Sequence, residues 1–482
     1  MAASSKPEAA NWPWKSKKKA MPGWKKRHLP NRLACRKGRH IMAAIKDKLQ
    51  TYSSIFDDFM ATLPKDEPGW IRQLRRKAIA RSDELGFPTT KHEDWRFTNV
   101  SSVIEKEFAV PKIPSGNKVN LDLEEYSFEK DDVIQLVFVN GFFSADLSHL
   151  CDLPDGARIK NLATAIECNA EYLEPYLSRL GSFDKSAFAA LNTGFMRDGA
   201  YIHIPANQVV ERPIHLLYIT TSSDTPIVTY PRNLFVVGNN AQVSIIESYA
   251  GTDGDVYFTN GVSEFIVGNN AVLDHYKIQR ESRDAYHITD NQIYLEQDAN
   301  FYTNNVTFGG SITRNDIDAK LDAENIQCTL NGLYMIDGEQ HVDNHTLLIH
   351  EKPHCESHEL YKGILNGQSS GVFRGKIFVQ KDAQKTDAKQ DSKGLLLSKE
   401  AEVNAMPQLE IYADDVKCTH GATTGHLDDD AIFYLQSRGI SKENARGLLT
   451  YAYASELINR MKLDCVREKL DTLLYDRLSV EV

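Results

Sequence analysis

The sequence predicts a mainly β fold, with a β-helix core held between helical regions at either end. Three observations carry this. A short motif repeats: Val237-Gly-Asn-Asn-Ala241 recurs unchanged as Val267-Gly-Asn-Asn-Ala271. Short runs rich in β-branched and aromatic residues, such as 133–139, 213–220 and 233–237, alternate with turn residues from about residue 130 to 416. Helical periodicity is confined to the two ends, apart from one patch at 161–191.

Taken in order, residues 1–41 stand apart. They hold 12 Lys/Arg, a single acid (Glu8) and three of the five tryptophans, with no regular period. A misassigned start ahead of Met42, a disordered basic arm and a transit peptide are the competing readings. From 42 to 130 the pattern is helical. Ile55, Phe56, Phe59, Met60 and Leu63 recur at three and four, and a second helix over 70–85 stops at Gly86 and Pro88. The β-helix core spans 131–427. Looser echoes of its repeat lie at 297–300, 321–324, 381–384 and 399–402, and the alanines at 241, 271, 299 and 323 are 30, 28 and 24 residues apart. A polar turn with one small residue, recurring at this period, reads as stacked coils about 4.8 Å apart. A β-sandwich with coincidental turns is the bland alternative. Residues 428–482 are helical again, with Ser441 as an N-cap and Leu448, Leu449, Tyr451, Leu457, Leu470, Leu473 and Leu474 on an apolar stripe. This bundle is expected to cap the open end of the solenoid and to offer a face to a partner.

Composition narrows the function. Without the first 41 residues the chain holds 44 basic and 65 acidic residues, a poor match for nucleic acid or an anionic membrane. No apolar run is long enough to span a bilayer and no secretory signal opens the chain. Seven scattered cysteines without a C-x-x-C pair argue against a disulfide framework and fit a reducing, cytoplasmic setting. There is no phosphate-binding G-x-x-x-x-G-K-[ST] loop, so no ATP is expected on this chain, and no nucleophile elbow or H-E-x-x-H motif. Neither the converging acids nor the secretory signal of a polysaccharide-cleaving β-helix is evident.

Two groups could carry metal chemistry. In Val416-Lys-Cys-Thr-His-Gly-Ala-Thr-Thr-Gly425, a strand running on from 409–413 would put Cys418 and His420 on one face. A thiol and an imidazole suit a soft metal or an iron–sulfur cluster, but two ligands leave the set incomplete. A buried thiol and a hydrogen-bonded imidazole are the structural alternative. The second group is His341, His345, His350, His354, Cys355 and His358. In a strand, residues four apart share a face but lie about 13 Å apart, too far to hold one ion.

The stretches 382–390, Leu395-Leu-Leu-Ser398, Pro407-Gln-Leu-Glu-Ile411, 413–425 and Phe433-Tyr-Leu-Gln-Ser-Arg-Gly-Ile440 together resemble the SufB/SufD family of the SUF iron–sulfur cluster assembly system. Val342-Asp-Asn-His345, Glu359-Leu-Tyr-Lys-Gly-Ile-Leu365 and Glu93-Asp-Trp-Arg-Phe-Thr98 extend the likeness over residues 50–460. His420 is followed by Gly421-Ala-Thr, and Cys35 is the only cysteine before Cys151, which favours the SufD branch over SufB. The resemblance implies a right-handed parallel β-helix and a non-catalytic scaffold role. It implies a SufB partner through the β-helix and a SufC ATPase on the C-terminal helices. It also implies a transient cluster at the SufB interface, with His420 as the ligand from this chain and Cys418 ranked below it. A SufB-like paralogue and a stand-alone homodimeric metal-binding β-helix are the alternatives.

Overall fold

The computed structural model describes residues 55–112, 123–129, 132–150, 153, 155–221 and 225–478. The expectations for residues 1–41 lie outside them. Among the described residues, two long sheets of ten and eleven strands run the length of the core. Successive strands alternate between the sheets and pair in parallel, so the core is a β-solenoid and not a sandwich. In the ten-stranded sheet, Gln242 aligns with Val272, Asn300, Gln327, Glu356, Asp387 and Lys417 in turn, so a coil takes 27 to 31 residues.

The repeat motif forms one corner of this solenoid. Each coil turns there on a residue in the left-handed region: Asn240, Asn270, Asp298, Asn325, His354 and Lys385, with φ from 56° to 62°. Asn and Asp tolerate that conformation best after Gly, because their short polar side chains bond locally. They also ladder between coils. Asn270 Nδ2 donates to Asn240 Oδ1 at 2.9 Å, and Asn240 Nδ2 to Asn207 Oδ1 at 2.9 Å. Ala241, Ala271 and Ala299 stack beneath the corner, all 1% exposed or less. Ala323 does not join them. The register puts Ile326 at that position, since Asn300 pairs with Gln327. Ala401 precedes a strand of the other sheet, where Ser370 pairs with Glu402, so its echo marks a different corner.

The two ends differ. At the first, Phe142–His149 runs antiparallel to Ile134–Val139, and Arg158–Asn161 antiparallel to Ala200–Ile204. At the last, Lys417–His426 pairs only with Asp387–Leu396, and its other edge is free among the described residues. The expected continuation from 409–413 into this strand does not occur. Gln408–Ile411 belongs to the opposite sheet, and the chain turns at 414–415 to cross over.

The C-terminal helices Lys442–Ile458 and Asp464–Leu478 do not cap this end. Leu457, Ile458, Leu470 and Leu474 pack on Ile246, Tyr276, Ile278, Val306 and Leu333, along the outer face of the ten-stranded sheet. That face is apolar enough to need a cover, whereas the end carries polar side chains. Ser441 caps the first of these helices as expected, accepting from Asn444 N at 3.1 Å. At the other terminus, Gly69–Leu85 ends at Gly86, whose φ of 69° suits glycine.

Candidate functional site

The open end of the solenoid is built from the last half-coil. Along Asp387–Leu396, Ala388, Gln390 and Ser392 are buried while Lys389 and Asp391 are exposed. Cys418 aligns with Ala388 and His420 with Gln390, so both continue interior columns of the solenoid. No further strand covers them. His420 is exposed and Cys418 is partly buried, packed against the end of the main core. The two therefore share a face, about 6.6 Å apart along the strand. At Gly421 a Cβ would lie 2.8 Å from Asp391 Oδ1, the tip of an exposed side chain that can move aside.

Burial pushes the Cys418 thiol above its ordinary range; Asp387 adds to the shift and a backbone hydrogen bond from Ala388 opposes it. A thiol so placed stays protonated at neutral pH and is a poor ligand until a cation approaches. The other donor group at this end is the exposed imidazole of His420. Exposed apolar side chains flank the end: Ile411 and Tyr412 on the opposite sheet, and Phe433 and Tyr434 on the helix Asp429–Ser437, with Phe433 72% exposed.

The second histidine group is dispersed. His341 and His345 lie on the outer face of the strand His341–His350, while His350 points inward and is fully buried. His350 Nε2 meets Ser357 Oγ at 2.9 Å, and burial holds its ring down to about 4, so it is neutral. His354 occupies a corner, and the Cys355 thiol donates to Ala323 O at 3.1 Å. His358 lies on the next coil of the other sheet. Among the described residues, no three His, Cys, Asp or Glu are arranged to hold a metal ion.

His341 helps hold the N-terminal segment, while His345 lies 3.0 Å from Asp343 and backs its carboxylate. Thr98 Oγ1 lies 2.9 Å from His341 Nε2 and donates to Asp343. Arg314 stacks on Trp95 at 3.7 Å from the ring centre and donates to Asp94 O at 2.8 Å. Arg374 donates to Glu93 O at 2.8 Å. The segment 93–98 is thereby strapped across the eleven-stranded sheet. Burial disfavours the charged form of Asp343, yet His345 and Arg314 beside it outweigh that and hold it far below the usual carboxylate range. Sequence reasoning missed this network, and also the buried pair Glu359 and Gln390 beneath His420. The only signal was a run of polar residues in a segment otherwise patterned as strand.

Comparison with known proteins agrees with this architecture. A family model described as "SUF system FeS cluster assembly, SufBD core domain" matches residues 218–453, and one described as "SufBD protein N-terminal region" matches residues 46–216. An "Iron-sulfur cluster assembly SufBD family protein" of Synechocystis is 35% identical over 411 residues, covering 82% of this chain and 89% of that protein. "Iron-sulfur cluster assembly protein SufD" of Escherichia coli is 30% identical over 395 residues, covering 82% and 90%. "Protein ABCI7, chloroplastic" of Arabidopsis thaliana is 30% identical over 430 residues, covering 87% and 88%.

Proposed function

The chain belongs to the SufBD family of iron–sulfur cluster assembly proteins, and from that premise we propose that it is a SufD-type scaffold subunit whose open end completes a cluster site with a partner. The observation that carries this is the unequal pair of ends. One end closes on antiparallel edge strands, Phe142–His149 and Arg158–Asn161; at the other the outermost strand is still parallel, and it bears an exposed imidazole and, beside it, a partly buried thiol at the ends of interior columns. A free edge is a ready template for a second chain, since its N–H and C=O groups lack partners.

In this reading a SufB-type subunit pairs on the open end and supplies the remaining ligands. His420 contributes a ring nitrogen, and Cys418 is a subordinate donor that ionises when the site fills. The nascent cluster is cargo, assembled and passed on, not a resident cofactor. A SufC-type ATPase docks on the C-terminal helical region, where Phe433 and Tyr434 are uncovered, and ATP binds on that subunit and not here. The chain itself catalyses nothing. No helix among the described residues is long and apolar enough to cross a membrane, and with its free cysteines the chain suits the reducing cytoplasm. The chloroplastic relative in Arabidopsis makes a plastid the other setting to test, by following a tagged full-length chain in cells.

The experiment is co-expression of the full chain with SufB- and SufC-type partners. Wild type should co-purify with both, and His420→Ala should keep the complex while losing most cluster assembly. Because His420 is exposed on the last strand of the solenoid, its replacement should leave the chain folded, which a melting curve checks. Normal assembly by His420→Ala would remove the site. Failure to bind either partner, with a self-paired chain holding a cluster alone, would favour the homodimeric reading.

A further inference from the structure

His420 stands at the end of an interior column. The register of the ten-stranded sheet runs Glu359, Gln390, His420, one coil apart each time. Glu359 and Gln390 face the inside of the solenoid and are 3% and 1% exposed. They are bonded to each other, Gln390 Nε2 donating to Glu359 Oε2. The opposite sheet makes room for this amide. At Gly375 a Cβ would come within 2.1 Å of Gln390 Nε2, so any larger residue there would dislodge it.

The remaining amide atom has nothing to do. Gln390 Oε1 is buried and has no hydrogen-bond partner among the described residues. Leaving such an acceptor unpaired is unfavourable, and most buried polar atoms are paired. Nε2 is tied to Glu359, on the coil toward the closed end, so Oε1 is the amide atom still able to take a donor. The next residue in the column is His420, about 4.8 Å further along the stack; its ring is not hydrogen-bonded to Oε1 in this arrangement, and a turn of the exposed ring would bring a nitrogen to it.

We propose that Gln390 is a positioning residue for His420: its Oε1 accepts the N–H of one ring nitrogen and leaves the other nitrogen's lone pair facing out of the open end. This rests on reading His420 as the ligand at that end. A neutral imidazole carries one N–H and one lone pair, and they interconvert between two tautomers unless something holds them. An acceptor on the inner side selects the tautomer whose outward nitrogen is free to ligate. It also makes that nitrogen a better donor, as partners behind metal-bound histidines generally do. Glu359 is the anchor, holding the amide so that it cannot rotate and offer its NH2 instead.

The test reads the ring itself, in the full-length protein without metal. Selective 15N labelling of histidine, with His420 assigned by loss of its signals in His420→Asn, gives the shifts of both ring nitrogens at neutral pH. Wild type should show two well-separated values, the mark of one tautomer. Gln390→Leu should draw them together toward the averaged values of a free imidazole. Glu359→Gln, whose amide oxygen can still accept from Gln390 Nε2, should keep them apart. If Gln390→Leu does not fold, Gln390→Met, which is similar in length and has no acceptor, carries the same comparison. A folded variant with the same His420 shifts as wild type overturns the proposal, as does a wild-type ring that already averages. Either result leaves the ligand role of His420 standing. Conversely, a single tautomer lost in Gln390→Leu together with normal cluster assembly by His420→Ala would keep the positioning and sink the ligand reading.

Discussion

Arg314 offers the sharpest test of how the N-terminal segment is held. Its guanidinium is 3% exposed and shared among three groups: Asp343 Oδ2 at 2.7 Å, both oxygens of Asp316 at 2.7 and 2.9 Å, and Asp94 O at 2.8 Å. It also covers Trp95 at 3.7 Å. Arg314→Ala strips the arginine from Asp343, itself only 1% exposed. Breaking a buried ion pair from one side costs about 3–5 kcal/mol, mostly from the charge left behind. The lost cation–π contact belongs to the same unit, so the terms do not simply add. Arg314→Lys keeps a charge but cannot reach both carboxylates and the carbonyl, and should cost about half as much. A carboxylate held below its ordinary value contributes stability that is present above about pH 4 and drains away as pH falls further. The gap between wild type and Arg314→Ala should therefore narrow below that pH. Urea unfolding at pH 7 and pH 3.5 measures the gap. Hydrogen exchange over residues 91–100 locates it, because the strap should open before the solenoid does. Unchanged exchange in that segment, or a penalty under about 1 kcal/mol, would refute the strap as described.

Two further outcomes follow from the geometry. Burial, with Asp318 and Asp316 adding to it, pushes the Asp290 carboxyl up to about 7. A raised carboxyl contributes stability at low pH that is lost as pH rises from about 4 through 7, so Asp290→Asn should gain on the order of 2–4 kcal/mol over wild type at pH 8 and little at pH 4; melting curves at the two pH values check it. At the corner, Asn270 sits at φ 56° and bonds Asn240. Asn270→Ala should cost about 1–2 kcal/mol and Asn270→Gly rather less, because glycine adopts that φ without strain; equal losses by denaturant titration would mean the amide ladder, and not the backbone, decides.

Much of the fold was legible because stacking writes itself into the sequence. Val237–Ala241 and Val267–Ala271 are identical since they occupy the same corner one coil apart, and the side chains of Asn240 and Asn270 touch. The spacing from Ala299 to Ala323 misled, because Ile326 fills the position that alanine fills elsewhere. Apolar size can vary at the corner where backbone conformation cannot. The C-terminal helices were legible as helices, but not their seat: an apolar stripe states that a helix is covered without saying by which surface. The histidines at 341–358 are spread over the strand His341–His350, a corner and a strand of the other sheet, as spacing by four along a strand implies. The contact of His341 with Thr98 joins residues 243 positions apart, and no local pattern records it. Whether Gln390 faced inward depended on strand parity, which the surrounding Asp382-Ala-Gln-Lys-Thr-Asp-Ala-Lys-Gln390 leaves ambiguous because nearly every residue in it is polar.

A rod finished at one tip and bare at the other has a direction, and direction limits growth. A solenoid bare at both tips could add copies indefinitely and would tend toward filaments. Here the antiparallel strands at the first tip offer no continuation of the parallel stacking. A partner seated on the bare tip would cover the outermost parallel strand, so parallel stacking from that tip would stop there. The two unlike tips give the rod a polarity that a stack alike at both ends would lack.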